Sequence, residues 1–305
     1  MISLFRPFHP ILSLGFLFLA AALAPAQPLR LDPAVERYGK QEISFTLPGD
    51  FANPYDPDDV RVQALIRTPS GGRIVLPAFY WEGHDPFRNT PIDERGWKVR
   101  FTPNAVGENI VRITVSRRGG EPEIFALAAF QCIPSHRPGF VRVTQGRVEL
   151  TSGRPLSLVG VNRPWGDARR FEEYLAAMDE AAEAGVSVLR VWLAPWWLPV
   201  EAEHGRYDQG ACARLDALLD HAEELGLKIV LCIEQHGNFQ PEGGEIGLWP
   251  KHPYNSANSG PCRNVGEFFT SPEARRLFRN RLRYLVARVG HSTALMAWEL
   301  FNEVE

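Results

Sequence analysis

The sequence predicts a β-sandwich followed by an α/β unit built on a parallel sheet. Three observations carry this. Residues 28–133 read as short alternating or apolar runs punctuated by Gly, Pro, Asn and Asp, with no convincing helix between Leu31 and Cys132. From residue 140 onward the pattern switches to strands alternating with amphipathic helices. The strands of this second region are near-continuous apolar runs, as expected where both faces of a parallel sheet are covered.

Residues 1–26 are set apart from the fold. Arg6 precedes an apolar run from Ile11 to Ala24, and the run closes on Ala24-Pro25-Ala26. That pattern reads as a secretory signal peptide cleaved after Ala26. The run is too short for a membrane span, which needs ~20 apolar residues. No later segment is long and apolar enough to be expected to cross a membrane, so the mature protein is expected outside the cell or in the periplasm.

In the first region "QEISFTLPG", "VRVQALIRTPSGG", "RIVLPAFYWEG", "GWKVRFTPNAVGENIVRITVSRRGG" and "EIFALAAFQC" are the expected strands. Their number and spacing suit an antiparallel sandwich of about 100 residues. "PSHRPG", residues 134–139, is the expected linker, and residues 140–305 form the second unit. There, "FVRVTQGRVELTSGRP" reads as a hairpin and "LSLVGVN" as the first strand of the parallel sheet. "ARRFEEYLAAMDEAAEAG" is a helix ended by Gly185, and "VSVLRVWLAP" is the second strand. "DQGACARLDALLDHAEELG" is a helix ended by Gly226, and "LKIVLCIEQHG" is the third strand. A long polar loop is expected from about 238 to 269. "SPEARRLFRNRLRYLVARVG" opens a helix with Ser271 as N-cap and Pro272 at its first position, and "ALMAWEL" is the fourth strand. A barrel and a doubly wound sheet both fit, but no G-x-G-x-x-G follows a strand, so dinucleotide binding has no fingerprint.

The chain of 305 residues has a formal net charge of −3 and no long basic run, which gives no reason to expect nucleic acid. Cys132, Cys212, Cys232 and Cys262 form no C-x-x-C pair and no zinc spacing, so neither a metal nor another cofactor is expected. Cys212 on a helix and Cys232 within a strand suit buried free thiols. Eight Trp and 18 Phe are a generous aromatic supply, most of it expected in the core, and Trp clustered in loops suits the flat faces of sugars.

Chemistry in a (β/α)8 barrel sits at the C-terminal ends of the strands. The first strand here is followed by Asn162, Arg163 and Trp165. The second carries Arg190 and leads to Trp192, Trp196 and Trp197. The third delivers Glu234 and His236, and the fourth delivers Asn302 and Glu303. All four ends carry polar or aromatic groups suited to a sugar site.

At these residues the sequence resembles a known family. "AWELFNEVE" is similar to the fourth-strand signature of the retaining (β/α)8 glycoside hydrolases, especially family 5, the cellulases and mannanases. "GVNRPW", "LRVWLAP" and "CIEQHGNF" fall where that family has its first three strands. The resemblance covers about Phe140 to Glu305. It implies a TIM barrel of which about four β/α units, the first half, are present. It also implies a polysaccharide substrate. Glu303 would be the general acid/base, and Asn302 would bond the sugar 2-hydroxyl. Arg190 would hold the nucleophile, His236 would bind substrate or support that network, and Asn162, Trp165, Trp196, Trp197 and Trp249 would line the sugar site. "FYWEG" and "WKVRFTP" more weakly resemble domain of unknown function 5060, which precedes such barrels.

Retaining hydrolysis explains these residue types: one carboxyl protonates the leaving oxygen while a second, ~5–5.5 Å away, attacks the sugar carbon. Glu299, four residues before Glu303, is expected to be structural, and Glu234 is the weaker candidate for the site. Val304 stands where the family often has Pro. The family's nucleophile ends strand seven, whereas residues from Pro155 on number about 150, against the ~250 of a barrel. A fragment of a longer secreted enzyme, inactive alone, is therefore expected. A non-catalytic carbohydrate-binding protein is the alternative, and a transglycosylase would use the same residues.

Overall fold

In a computed structural model, residues 29–241 and 247–303 are described; the expected signal peptide lies outside them. The first region contains strands β1 (Ala34–Glu36), β2 (Gln41–Phe45), β3 (Val60–Arg67), β4 (Arg73–Pro77), β5 (Phe79–Asp85), β6 (Thr90–Phe101), β7 (Gly107–Arg117) and β8 (Glu123–Ile133). They form a five-stranded sheet, β1-β8-β7-β3-β4, and a three-stranded sheet, β2-β6-β5. All neighbours are antiparallel except β1 with β8. Alternate residues of β3 (Val60, Val62, Ala64, Ile66) and of β7 (Val111, Ile113, Val115) point inward. They meet Ile43, Trp97, Val99 and Phe101 of the smaller sheet in one core. The period-2 pattern thus fixes which face is buried.

Two features differ from the sequence reading. The run "RIVLPAFYWEG" is two strands in different sheets. Pro77 has no N–H to continue a ladder, and the chain crosses from one sheet to the other at Ala78. β6 also begins at Thr90, earlier than expected, because residues 90–95 pair with the end of β5.

A short hairpin, β9 (Val141–Thr144) and β10 (Arg147–Leu150), leads into a second set of elements. These are β11 (Gly160–Asn162), α1 (Phe171–Glu183), β12 (Val188–Trp192), α2 (Gln209–Leu225), β13 (Lys228–Glu234), α3 (Val265–Thr270), α4 (Pro272–Val289) and β14 (Leu295–Phe301). The sheet is parallel throughout, in the order β11-β12-β13-β14. Its first strand is shorter than the expected "LSLVGVN". The helix ends follow their caps. Asp208 accepts from Ala211 N at 2.7 Å, Ser271 accepts from Ala274 N at 3.4 Å, and Gly226 closes α2 in the left-handed region at φ 73°. Leu215, Leu218 and Leu219 of α2 and Tyr284 and Leu285 of α4 pack with Leu189, Val191, Ile229 and Leu231 of the sheet. All four cysteines are buried and unbonded to one another.

The two units are joined by a buried interface that sequence periodicity does not reveal. Phe79 of β5 is 2% exposed and belongs to the core of the α/β unit. The guanidinium carbons of Arg100 (β6) and Arg288 (α4) lie 5.2 and 5.4 Å from its ring centre. Both arginines clasp Asp216 of α2, at 2.8 and 2.9 Å, and Arg100 also bonds Glu42 at 2.8 Å. Burial alone would raise the Asp216 carboxyl, but its two arginines outweigh burial and hold it below the usual carboxylate range. Beside this cluster, Gln209 donates to Tyr284 OH at 3.1 Å and to Tyr55 OH at 3.3 Å, and Tyr207 stacks on Tyr284 at 3.8 Å.

Removing one partner of a buried ionic cluster leaves uncompensated charge. Asp216→Ala strands two guanidiniums at the interface and is expected to destabilise the chain by about 3–5 kcal/mol. Denaturant unfolding measures it, and the two units should then lose cooperativity.

Candidate active site

The site is built where β11 to β14 end. Asn302 follows β14 and is 1% exposed. Its backbone N–H donates to the Glu234 carbonyl at 3.0 Å, and its side-chain Oδ1 accepts from His236 N at 2.7 Å. These bonds tie the ends of β13 and β14 together and fix the amide's orientation, which leaves Nδ2 as the free end. Glu303 then turns out of the sheet with φ 47°, a left-handed conformation uncommon for a residue with a Cβ. Its carboxylate, 65% exposed, sits 3.4 Å from His236 Nδ1.

Two buried polar atoms around this point, Asn302 Nδ2 and Trp192 Nε1, have no hydrogen-bond partner among the described residues, and His236 Nδ1 has no hydrogen bond beyond its approach to the Glu303 carboxylate. Native structures leave few such groups, and each calls for an explanation. A donor such as Asn302 Nδ2 beside an exposed carboxyl is suited to a hydroxyl-rich ligand.

Arg190 and Glu299 form the floor. Arg190 Nε and Nη2 donate to the two oxygens of Glu299 at 2.7 and 2.6 Å. Nη1 lies 3.4 Å from Asn162 Oδ1, and the guanidinium carbon lies 5.3 Å from the Trp192 ring centre. β12 and β14 are not neighbours, so this pair reaches across β13. Register places Cys232 between Trp192 and Glu299, and its small side chain leaves room for the two long ones to meet. The expected structural character of Glu299 agrees with this pairing.

An aromatic strip runs from the polar cluster to the surface. The Trp192 ring centre is 6.3 Å from His236 and 5.1 Å from Trp165, and Trp165 is 5.4 Å from Trp196. Trp165 and Trp196 are 42% and 39% exposed. Two of the sequence candidates are corrected here. Trp197 is fully buried, within 4.6 Å of the Tyr174 ring centre, because the turn after β12 rolls it into the core. Trp249 is 6% exposed and stacks on His252 at 5.2 Å. Neither presents a face to a sugar.

The expected polar loop is instead folded around aromatic rings. Trp249, Tyr254 and Phe268 form a small core against which Phe239 and Phe301 pack. Phe301 lies 5.7 Å from Phe278 of α4 and directly precedes Asn302, so this core holds the end of β14.

Glu234 turns away from the site and is fully buried. Its carboxylate takes bonds from Arg281 and Asn238, and His252 Nε2 approaches to 3.8 Å. Burial opposes its charge, but Arg281 and His252 prevail and hold its pKa down at about 2. Glu201 shares the same guanidinium at 3.7 Å and accepts from Gly205 N at 2.7 Å and Tyr254 OH at 3.2 Å. For Glu201 burial outweighs Arg281 and lifts the pKa to about 7. Sequence reasoning named Glu234 but missed its partners Glu201, Tyr254 and Arg281, because they are far apart in the chain.

Parallel strands here end in an Asn-Glu pair, a histidine, an arginine and exposed tryptophans, an arrangement compatible with a glycosidase-like class. Comparison with known proteins agrees with that class. Residues 34–115 match the model of a domain of unknown function, DUF5060. Mannan endo-1,4-beta-mannosidase 1 of Oryza sativa subsp. japonica is 27% identical over 183 residues, covering 54% of this chain and 40% of its own length. Mannan endo-1,4-beta-mannosidase 1 of Solanum lycopersicum is 25% identical over 181 residues, covering 54% of this chain and 44% of its own length. The chain thus spans less than half the length of these curated relatives. In fold it is similar to the crystal structure of a candidate glycoside hydrolase from Bacteroides vulgatus ATCC 8482, with a TM-score of 0.64 at 16% identity over 89% of this chain and 50% of that one.

Glu201 yields a pH prediction. Its folded pKa lies above the ordinary carboxyl value of 4.5, so the folded state holds the proton more tightly than the unfolded one. Its contribution is complete below about pH 4.5 and is lost as pH rises through about 7. Glu201→Gln mimics the protonated form. Its Tm relative to the parent chain is expected to rise by several degrees between about pH 5 and about pH 8, as read by thermal melts across that range.

Proposed function

We propose that this chain carries the acid/base side of the active site of a secreted, retaining glycoside hydrolase acting on a β-linked polysaccharide. Mannan is favoured over cellulose by the activity named for its relatives. The observation that carries the reading is the set of unpartnered polar atoms around Glu303, fed by an exposed tryptophan strip. In this reading the parallel sheet is the first half of a TIM barrel, and the sandwich positions it.

Glu303 protonates the glycosidic oxygen as the bond to the leaving sugar breaks. It then takes the proton from the water that releases the sugar from the enzyme. His236 Nδ1, 3.4 Å away, steadies that carboxyl. The Asn302 Nδ2 amide donates to the sugar 2-hydroxyl, a contact that strengthens in the oxocarbenium-like transition state. Trp165 and Trp196 stack on sugar rings. Because Glu299 occupies two donors of Arg190, the nucleophilic carboxylate would meet its remaining edge. A nucleophile ending a seventh strand has no position among the described residues, whose parallel sheet has four strands.

The purified 305-residue chain is expected not to hydrolyse mannan. In a protein that joins this sequence to the nucleophile, Glu303→Gln should lower kcat about 10²–10⁴-fold while oligosaccharide binding persists, as loss of general acid catalysis does. Unchanged hydrolysis would overturn the assignment. Binding without any hydrolysis in the parent would favour a non-catalytic carbohydrate-binding protein.

A further inference from the structure

We propose that Glu299 is a positioning residue: it fixes the plane of the Arg190 guanidinium so that only the Nη1 edge faces the site. The glycosidase reading bears only on what that edge binds; the positioning stands on geometry.

A guanidinium has five N–H donors in a rigid fork. Two parallel bonds, Nε to Oε2 at 2.7 Å and Nη2 to Oε1 at 2.6 Å, remove rotation about the last side-chain bonds. Nη1 is left on the outer edge, 3.4 Å from Asn162 Oδ1 at the end of β11. The flat face is held near the Trp192 ring, 5.3 Å from its centre. A carboxylate on one edge and an aromatic ring near the face leave one approach for an anionic or strongly polar group.

The placement of Glu299 supports a role beyond packing. It belongs to β14, the strand that also delivers Asn302 and Glu303, while Arg190 belongs to β12. The pair therefore fixes the distance between two strand ends that are not hydrogen-bonded to each other. Both side chains are only partly covered, at 28% and 24% exposure, so the pair borders the cleft. Its charge balance also matters: Glu299 neutralises Arg190, so the cation acts through direct bonds at Nη1 more than as a general field over Glu303.

The test uses the 305-residue chain with Glu299→Gln, which keeps shape and removes charge, and Glu299→Asp, which keeps charge but is too short for both bonds. Arg190→Lys assigns the resonance. In the parent chain the Arg190 Nε–H signal should exchange slowly with solvent. Glu299→Gln should speed that exchange at least about tenfold, and Glu299→Asp should fall between. Folding of each variant is checked by its backbone spectrum. Titration with mannohexaose is the second arm. Glu299→Gln and Arg190→Lys should each weaken binding about tenfold, and the double variant should be no weaker than the worse single one. Unchanged Arg190 exchange in Glu299→Gln, or additive losses in the cycle, would overturn the proposal. If the parent chain binds no mannohexaose, the exchange measurement alone decides the positioning, and the joined protein decides the glycosidase reading.

Discussion

One buried carboxylate, Asp216, holds the two halves of this molecule in a fixed relation. It sits on α2, inside the α/β unit, yet one of its partners, Arg100, comes from the sandwich and the other, Arg288, from α4. Both guanidiniums lie near the Phe79 ring, which completes the apolar core of the second unit from outside. Buried charge is tolerated only when paired, so the interface has few arrangements that satisfy it. The sandwich therefore acts as a wall of the α/β unit, covering α2 and α4 on the side of the sheet that carries the helices.

The same logic recurs at the strand ends on a smaller scale. Glu234 uses its carbonyl to hold Asn302 and its carboxylate to hold Arg281 and Asn238. Glu299 uses both oxygens to hold Arg190. Two acidic residues whose oxygens are taken up inside the protein thus place the groups of the proposed site. The site is left with unpaired donors and an exposed carboxyl because its supporting groups are paired elsewhere.

Much of this was legible in the sequence where the cause is local. Ser271-Pro272 starts α4 and Gly226 ends α2 because capping chemistry acts within a few residues. Alternation of strands and helices predicts the parallel sheet, and the strand ends are where Arg190, His236, Asn302 and Glu303 stand in the fold. What was not legible depends on contacts distant in sequence. Arg100 and Asp216 are 116 residues apart, and no periodicity couples them. Trp196 and Trp197 are adjacent and chemically identical, yet one is exposed and the other buried; the turn after β12 decides, and no repeat covers it. The 238–269 segment looked polar because its few rings are scattered along it, and only folding gathers them around Phe268.

The insertion of Phe79 into a foreign core bears on how such chains are recombined. A front unit that merely tethers its neighbour can be exchanged for another across a linker cut near residues 134–139. This one leaves a socket behind: the aromatic ring goes, and so do the guanidinium beside it and the tyrosine whose hydroxyl accepts from Gln209. A transplanted module would have to bring a matching plug, so the join between these units is inherited as a matched set.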